Sequence, residues 1–121
     1  FPTQLALGHT WNRELIRQVG YITGREARLL GYTNVYAPIL DVGRDQRWGR
    51  YEEVYGESPY LVAELGIAMG KGLQTDMQVA STAKHFIAYS NNKGAREGFA
   101  RVDPQMSWRE VENIHAYPLQ E

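Results

Sequence analysis

The 121-residue sequence contains no cysteine. That excludes disulfides and thiolate metal sites, and it leaves the compartment open, because many exported proteins also lack cysteine. There is no basic excess either: 13 Lys and Arg stand against 14 Asp and Glu, for a formal net charge of -1. Nucleic acid and an anionic membrane surface both need a basic patch, so neither is expected as a partner. No apolar run approaches the ~20 residues that span a bilayer, and no membrane span is expected. Glycine-rich phosphate loops and a Ser-His-Asp signature are absent, and His9 and His115 have no companion ligands, so neither a metal nor a cofactor is expected. The opening Phe1-Pro2-Thr3-Gln4 is neither an initiator methionine nor a signal peptide. The expectation is a chain that begins inside a longer protein and whose residues 117–121 lead towards a further strand.

What is present is a globular composition, 43% hydrophobic and 12% aromatic, enough for one domain with a core. Residues 10–30 carry Leu15, Val19, Ile22 and Leu29/Leu30 near helical spacing, with Thr10 or Asn12 as N-cap and Gly31 as the stop. Residues 34–40 are a short apolar run that reads as a buried strand. Pro38 removes a ladder donor and is expected near the strand's end. Ser58-Pro59 opens a second helix with Leu61, Leu65, Ala68, Met69 and Leu73 inward, ending around Gly70 to Gly72. Residues 79–86 are a second, weaker strand candidate, rich in small residues. The polar stretch 90–94 reads as a loop, and Ser107-Trp108-Arg109-Glu110 matches a capping box that starts a helix to about Tyr117, with Val111, Ile114 and Ala116 or Tyr117 inward. Helices alternating with buried strands mean a parallel sheet covered by helices, either an open doubly wound sheet or a slice of a (β/α) barrel. Two strands close no barrel, so the rest of the sheet is expected to come from other residues.

Between the first strand and the second helix, residues 41–59 form a long loop holding Arg44, Arg47 and Arg50, five carboxylates and Trp48. Loops of that length in compact domains usually serve function. Arg–carboxylate pairs that pin the loop are the commoner role, while one inward arginine could form a fork for vicinal hydroxyls or a carboxylate; spacing does not choose which. Glu52-Glu53 is read as structural, since adjacent residues point apart and retaining glycosidases need carboxyls ~5–5.5 Å apart across a sugar. Trp48, beside glycine, is expected to anchor the loop on the core. Lys84-His85 closes an apolar run, where both side chains would be costly to bury without partners, so a polar pocket at the strand's carboxyl end is the better reading.

The stretch Arg44-Asp45-Gln46-Arg47-Trp48-Gly49-Arg50-Tyr51-Glu52-Glu53 resembles the R-D-P-R-W-G-R-x-x-E motif of glycoside hydrolase family 3, the β-glucosidase and β-xylosidase family. Thr82-Ala83-Lys84-His85-Phe86 resembles its K-H-F motif, Gly56-Glu57-Ser58-Pro59 its G-E-D-P, and Gly24-Arg25-Glu26-Ala27 the preceding helix. The similarity covers essentially the whole chain in the right order. Gln46 and Ser58 depart from the pattern, at positions that touch no proposed contact. Ile87-Ala88-Tyr89-Ser90 stands where the N-acetylglucosaminidase branch carries its histidine loop, which favours the glucosidase/xylosidase branch.

The resemblance implies a (β/α)8 barrel of the TIM type, with residues 1–121 as the middle part of a single N-terminal barrel domain. It implies that Arg50, Lys84 and His85 hold hydroxyls of the sugar in the −1 subsite, and that an arginine after K-H-F, best Arg96 with Arg101 nearby, contributes. The implied mechanism is retaining, with the nucleophile and the acid/base outside this chain. The implied partners are an oligosaccharide or glycoside substrate and the remainder of its own polypeptide, and the implied location is secreted or periplasmic. A catalytically inactive carbohydrate-binding or scaffold protein of the same ancestry is the competing reading. An unrelated open α/β binding domain is a third, and it would need the Arg50 and Lys84 loops on opposite faces.

Overall fold

A computed structural model describes residues 1–91 and 103–120. Its centre is a pair of parallel strands, β1 (Asn34–Val35) and β2 (Ala80–Ser81), with Asn34 opposite Ala80 and Val35 opposite Ser81. Pairing resumes at one parallel bridge between Ile39 and Lys84. There the Lys84 N–H donates to Pro38 O at 3.1 Å and the Leu40 N–H donates to Lys84 O at 2.6 Å. In between, the Ala37 N–H turns back to Val35 O, and the Ser81 hydroxyl donates to Ala37 O at 2.6 Å. Pro38 has no N–H to offer a ladder. It therefore sits inside the 34–40 run, between the two paired points, and the regular strand is shorter than the apolar run.

The chain enters through α1 (Gln4–Gly8), capped by Thr3 and too short to show periodicity in the sequence. The longest helix, α2 (Arg13–Leu29), is capped by Asn12, whose side chain accepts from the Leu15 N–H at 3.0 Å. It ends at Gly31, which takes φ +89°, while Gly31 and Tyr32 N–H groups close back on Arg28 and Ala27 carbonyls. This is the Schellman stop that a glycine makes inexpensive. The buried face differs from expectation. Ile16, Val19, Gly20 and Gly24 are inside, whereas Leu15, Ile22, Leu29 and Leu30 are exposed.

The reason is α3 (Pro59–Leu73), entered through Ser58 and Pro59 as expected. It packs on α2 more extensively than any other pair of elements, backbone against backbone. A Cβ on Gly72 would lie 2.2 Å from Arg17 O and 2.9 Å from Gly20 Cα. Gly70 and Gly72 thus do not stop the helix, which runs to Leu73; Gly72 allows the close approach. Apolar counting overlooks such a face because glycine scores as nothing. Val62, Leu65, Met69 and Leu73 of α3 join Ile16, Val19, Leu40, Val42 and Tyr55 in the main core.

Further along, Ser107 caps the expected helix, its Oγ accepting from the Glu110 N–H at 3.2 Å. The expected single helix is however broken into α4 (Trp108–Glu110), a π-helical turn (Val111–His115) and α5 (Tyr117–Gln120). The Ala116 N–H reaches back five residues to Val111 O, and Pro118 cannot donate to a continuous helix. The wider turn leaves Val111 half-buried and rotates His115 inward to 3% exposure, with Nε2 lacking a partner among the described residues.

Replacing Gly72 with valine should lower stability by about 1–3 kcal/mol through overpacking, read as a shift of the urea midpoint; an unchanged midpoint would mean that the two helices separate freely. Burial lowers the pKa of His115 below its ordinary 6.5, with Glu110 and Asp41 opposing and Arg44 reinforcing the shift. The unfolded chain then takes up the proton first, so stability is complete above about pH 6.5 and falls as the pH drops from there towards the lowered value. His115→Gln should accordingly lose less stability than the wild type between about pH 7 and about pH 5, and parallel denaturation curves would refute this.

Candidate functional site

Alternation along residues 39–42 sorts the side chains. Leu40 and Val42 join the main core beneath α3, whereas Ile39 and Asp41 face the other way. Ile39 there meets Trp48, Val54 and Tyr89 in a second, smaller cluster. Trp48 is 4% exposed, which makes it the loop's anchor, as expected. The loop closes at its base through the Gly43 N–H to Gly56 O at 2.8 Å, and the Tyr51 hydroxyl donates to Gly43 O at 3.3 Å. Ser90, fully buried, donates to Val42 O at 2.7 Å and ties the segment after Lys84-His85 to the same base.

The three arginines separate. Arg44 and Arg47 are exposed, and Arg47 forks Asp45 with Nη2 at 2.7 Å, holding that carboxyl down at about 2. Arg50 alone turns inward, its side chain 14% exposed. Its Nε and Nη2 donate to the two oxygens of Glu53 at 2.7 and 2.6 Å, and Nη1 lies 3.2 Å from His85 Nε2. Glu53 is therefore structural, as expected. It raises the pKa of Arg50 further above its ordinary value, burial opposing and Tyr89 reinforcing. The guanidinium carbon sits 5.9 Å from the Trp48 ring centre and 5.5 Å from that of Tyr89, near the ~6 Å range of a cation–π contact. Tyr89 also packs edge-on against His85, centroids 4.7 Å apart.

On its other side, His85 meets Asp41. Asp41 Oδ2 accepts from the His85 backbone N–H at 3.2 Å and lies 2.6 Å from Nδ1. Asp41 was only one of five loop carboxylates in the sequence. The signal that could have found it is its position two beyond Ile39, on the face opposite Leu40 and Val42. Lys84, bridged to Ile39 by backbone, is half-buried, and its ammonium has no hydrogen-bond or ion-pair partner among the described residues. Arg50 and His85 thus meet at the ends of the two paired segments, with Lys84 next to His85 in the chain, which excludes an architecture with the two loops on opposite faces. Arg96 and Arg101 lie outside the described residues.

Charge-assisted donors gathered on a packed base can fix hydroxyls by short, directional bonds. Among the described residues no three His, Asp or Glu side chains converge as a metal site would, and no helix is long and apolar enough to cross a membrane. A cleft of ≈ 620 Å³ opens on another side of the loop, among His9, Trp11, Gln46, Tyr51 and Glu57, and includes none of the three residues.

The model of the glycosyl hydrolase family 3 N-terminal domain matches residues 1–121. A β-xylosidase of Formosa agariphila is 41% identical over 99% of this chain and 17% of its own length. A periplasmic β-glucosidase of Salmonella typhimurium is 37% identical over 80% of this chain and 13% of its own. The solved β-glucosidase of Listeria innocua in complex with laminaribiose superposes with a TM-score of 0.82 at 36% identity, over 99% of this chain and 18% of that one. The chain therefore spans less than a fifth of the length of these relatives. Its parallel strands and covering helices are a slice of a TIM-type (β/α)8 barrel. On the match along its whole length, the chain belongs to glycosyl hydrolase family 3, within that family's N-terminal domain.

Proposed function

We propose that this chain is the substrate-holding part of a retaining, exo-acting β-glycosidase that releases terminal β-D-glucosyl or xylosyl residues from oligosaccharides or glycosides. The observation that carries the reading is the convergence of Arg50 and His85, at 3.2 Å, next to Lys84, which is unpaired among the described residues, at the ends of parallel strands. In barrels of this type the active site is built from those ends. Arg50, Lys84 and His85, with Arg96 from the stretch that follows, form the −1 subsite: the cations hold hydroxyls of the sugar and fix the ring for attack, and His85, whose ring nitrogens face Asp41 and Arg50, serves it by directing Arg50. The nucleophile and the acid/base come from outside these residues.

Residues 1–121 form the middle part of a single barrel domain whose other strands belong to the rest of the same polypeptide. The exposed Tyr36, Leu29, Leu30 and Phe86 fit surfaces that such neighbours cover. The relatives' names support both the glucosidase and the xylosidase options. The periplasmic relative supports a secreted or periplasmic location.

The test is hydrolysis of a panel of p-nitrophenyl glycosides by the full polypeptide and by its Arg50→Ala and Lys84→Ala variants. Each variant should keep its fold and lose about 100- to 1,000-fold in kcat/KM. The 121-residue chain alone should turn over none of them. A full polypeptide that binds sugars and hydrolyses no glycoside would replace this reading with that of an inactive binding or scaffold protein.

A further inference from the structure

Asp41 is a buried carboxylate that no lysine or arginine pairs with among the described residues. Its side chain is 1% exposed, and among those residues its one ion-pair geometry is with His85. Removing a carboxylate from water costs several kcal/mol unless it is well bonded. Yet Oδ1 has no partner among the described residues, and both bonds to Oδ2 come from His85, one from its backbone and one from its ring. Among the described residues, all of its hydrogen bonding goes to His85.

The ring's other nitrogen decides what that bonding does. Nε2 faces Arg50 Nη1 at 3.2 Å, and a guanidinium can only donate. Nε2 must therefore accept, which leaves the proton on Nδ1, directed at Asp41. The opposite tautomer would set N–H against N–H at Arg50 and a lone pair against the carboxylate. A doubly protonated ring would keep the Asp41 bond but place a second cation beside Arg50. One form alone satisfies both neighbours. With its other edge on Glu53, the Arg50 fork is then held at both ends, and two of its five N–H groups remain outside the bonds to Glu53 and His85.

We infer that Asp41 is a positioning residue: its carboxylate holds His85 as the Nδ1–H tautomer, so that Nε2 accepts from Arg50 and sets the direction of the guanidinium. The consequence for turnover rests on the function proposed above; the tautomer does not.

The test uses the full polypeptide with ¹⁵N-labelled histidine, the His85 resonances being assigned by their loss in His85→Gln. The wild type is expected to show Nδ1 protonated and Nε2 bare at neutral pH. Asp41→Ala, with no acceptor, should lose that preference and about tenfold or more in kcat/KM on the best aryl glycoside. Asp41→Asn presents a carbonyl oxygen in the same place, and should keep the Nδ1–H signature and most of the activity. A wild-type ring protonated on Nε2 or on both nitrogens overturns the inference. So does an Asp41→Ala variant that keeps the signature, or one that loses it with kcat/KM unchanged. If Asp41→Ala fails to fold, Asp41→Asn decides: Nδ1–H supports the inference and Nε2–H overturns it. The expected tautomer in a polypeptide inactive on every glycoside supports the positioning of His85 and overturns only the glycosidase reading.

Discussion

The arrangement depends on a short parallel pairing in which Lys84 is clasped between Pro38 and Leu40, its N–H on one carbonyl and its C=O on the other N–H. This bridge fixes the register of two segments more than 40 residues apart. With the register set, Asp41 and His85 emerge side by side just past the bridge, and the period of two sends Leu40 and Val42 into the core while Ile39 and Asp41 face the site. A slip of one residue would exchange those faces and bury the polar groups under α3.

The bridge is supported from behind by two helices that meet at glycine. Gly20 and Gly24 of α2 meet Met69, Gly72 and Leu73 of α3 at distances that leave no room for a Cβ. A Cβ on Gly66 would likewise lie 2.3 Å from Leu40, so α3 presses directly on the strand that carries Asp41. Packing this close transmits position, since it tolerates little displacement without steric cost. The exposed stripe Leu15, Ile22 and Leu29 on the far side of α2 follows from the same choice, because turning glycine inward turns leucine outward.

Two ion pairs in one loop illustrate how burial sorts charge. Asp45 and Arg47 pair on the surface, where water screens them, and the bond shapes the tip of the loop more than it stabilises the fold. Arg50 and Glu53 pair further inside, flanked by Trp48 and Tyr89 and joined to His85. There each group constrains the next, and Lys84, without a partner among the described residues, stands out. A buried polar array of this kind rigidifies a site only when its members satisfy one another.

Much of this was legible in the sequence. Caps at Asn12, Ser58 and Ser107 are local signals, because an N-cap side chain bonds to N–H groups two or three residues ahead and needs nothing else. The helix–strand alternation, the loop anchor Trp48 and the pairing of loop arginines with nearby carboxylates were legible for the same reason. The π-helical turn that buries His115 was not, since Ser107 to Glu110 announces a helix but nothing local announces its widening. The motif resemblance singled out Arg50 where spacing did not, but that it turns inward onto His85, which carboxylate serves His85 and which face of α2 is buried were decided by tertiary structure. Each depends on a contact between residues remote in sequence, Arg50 with His85, Asp41 with His85 and Gly20 with Gly72, and residue type and spacing do not carry information about distance across the fold.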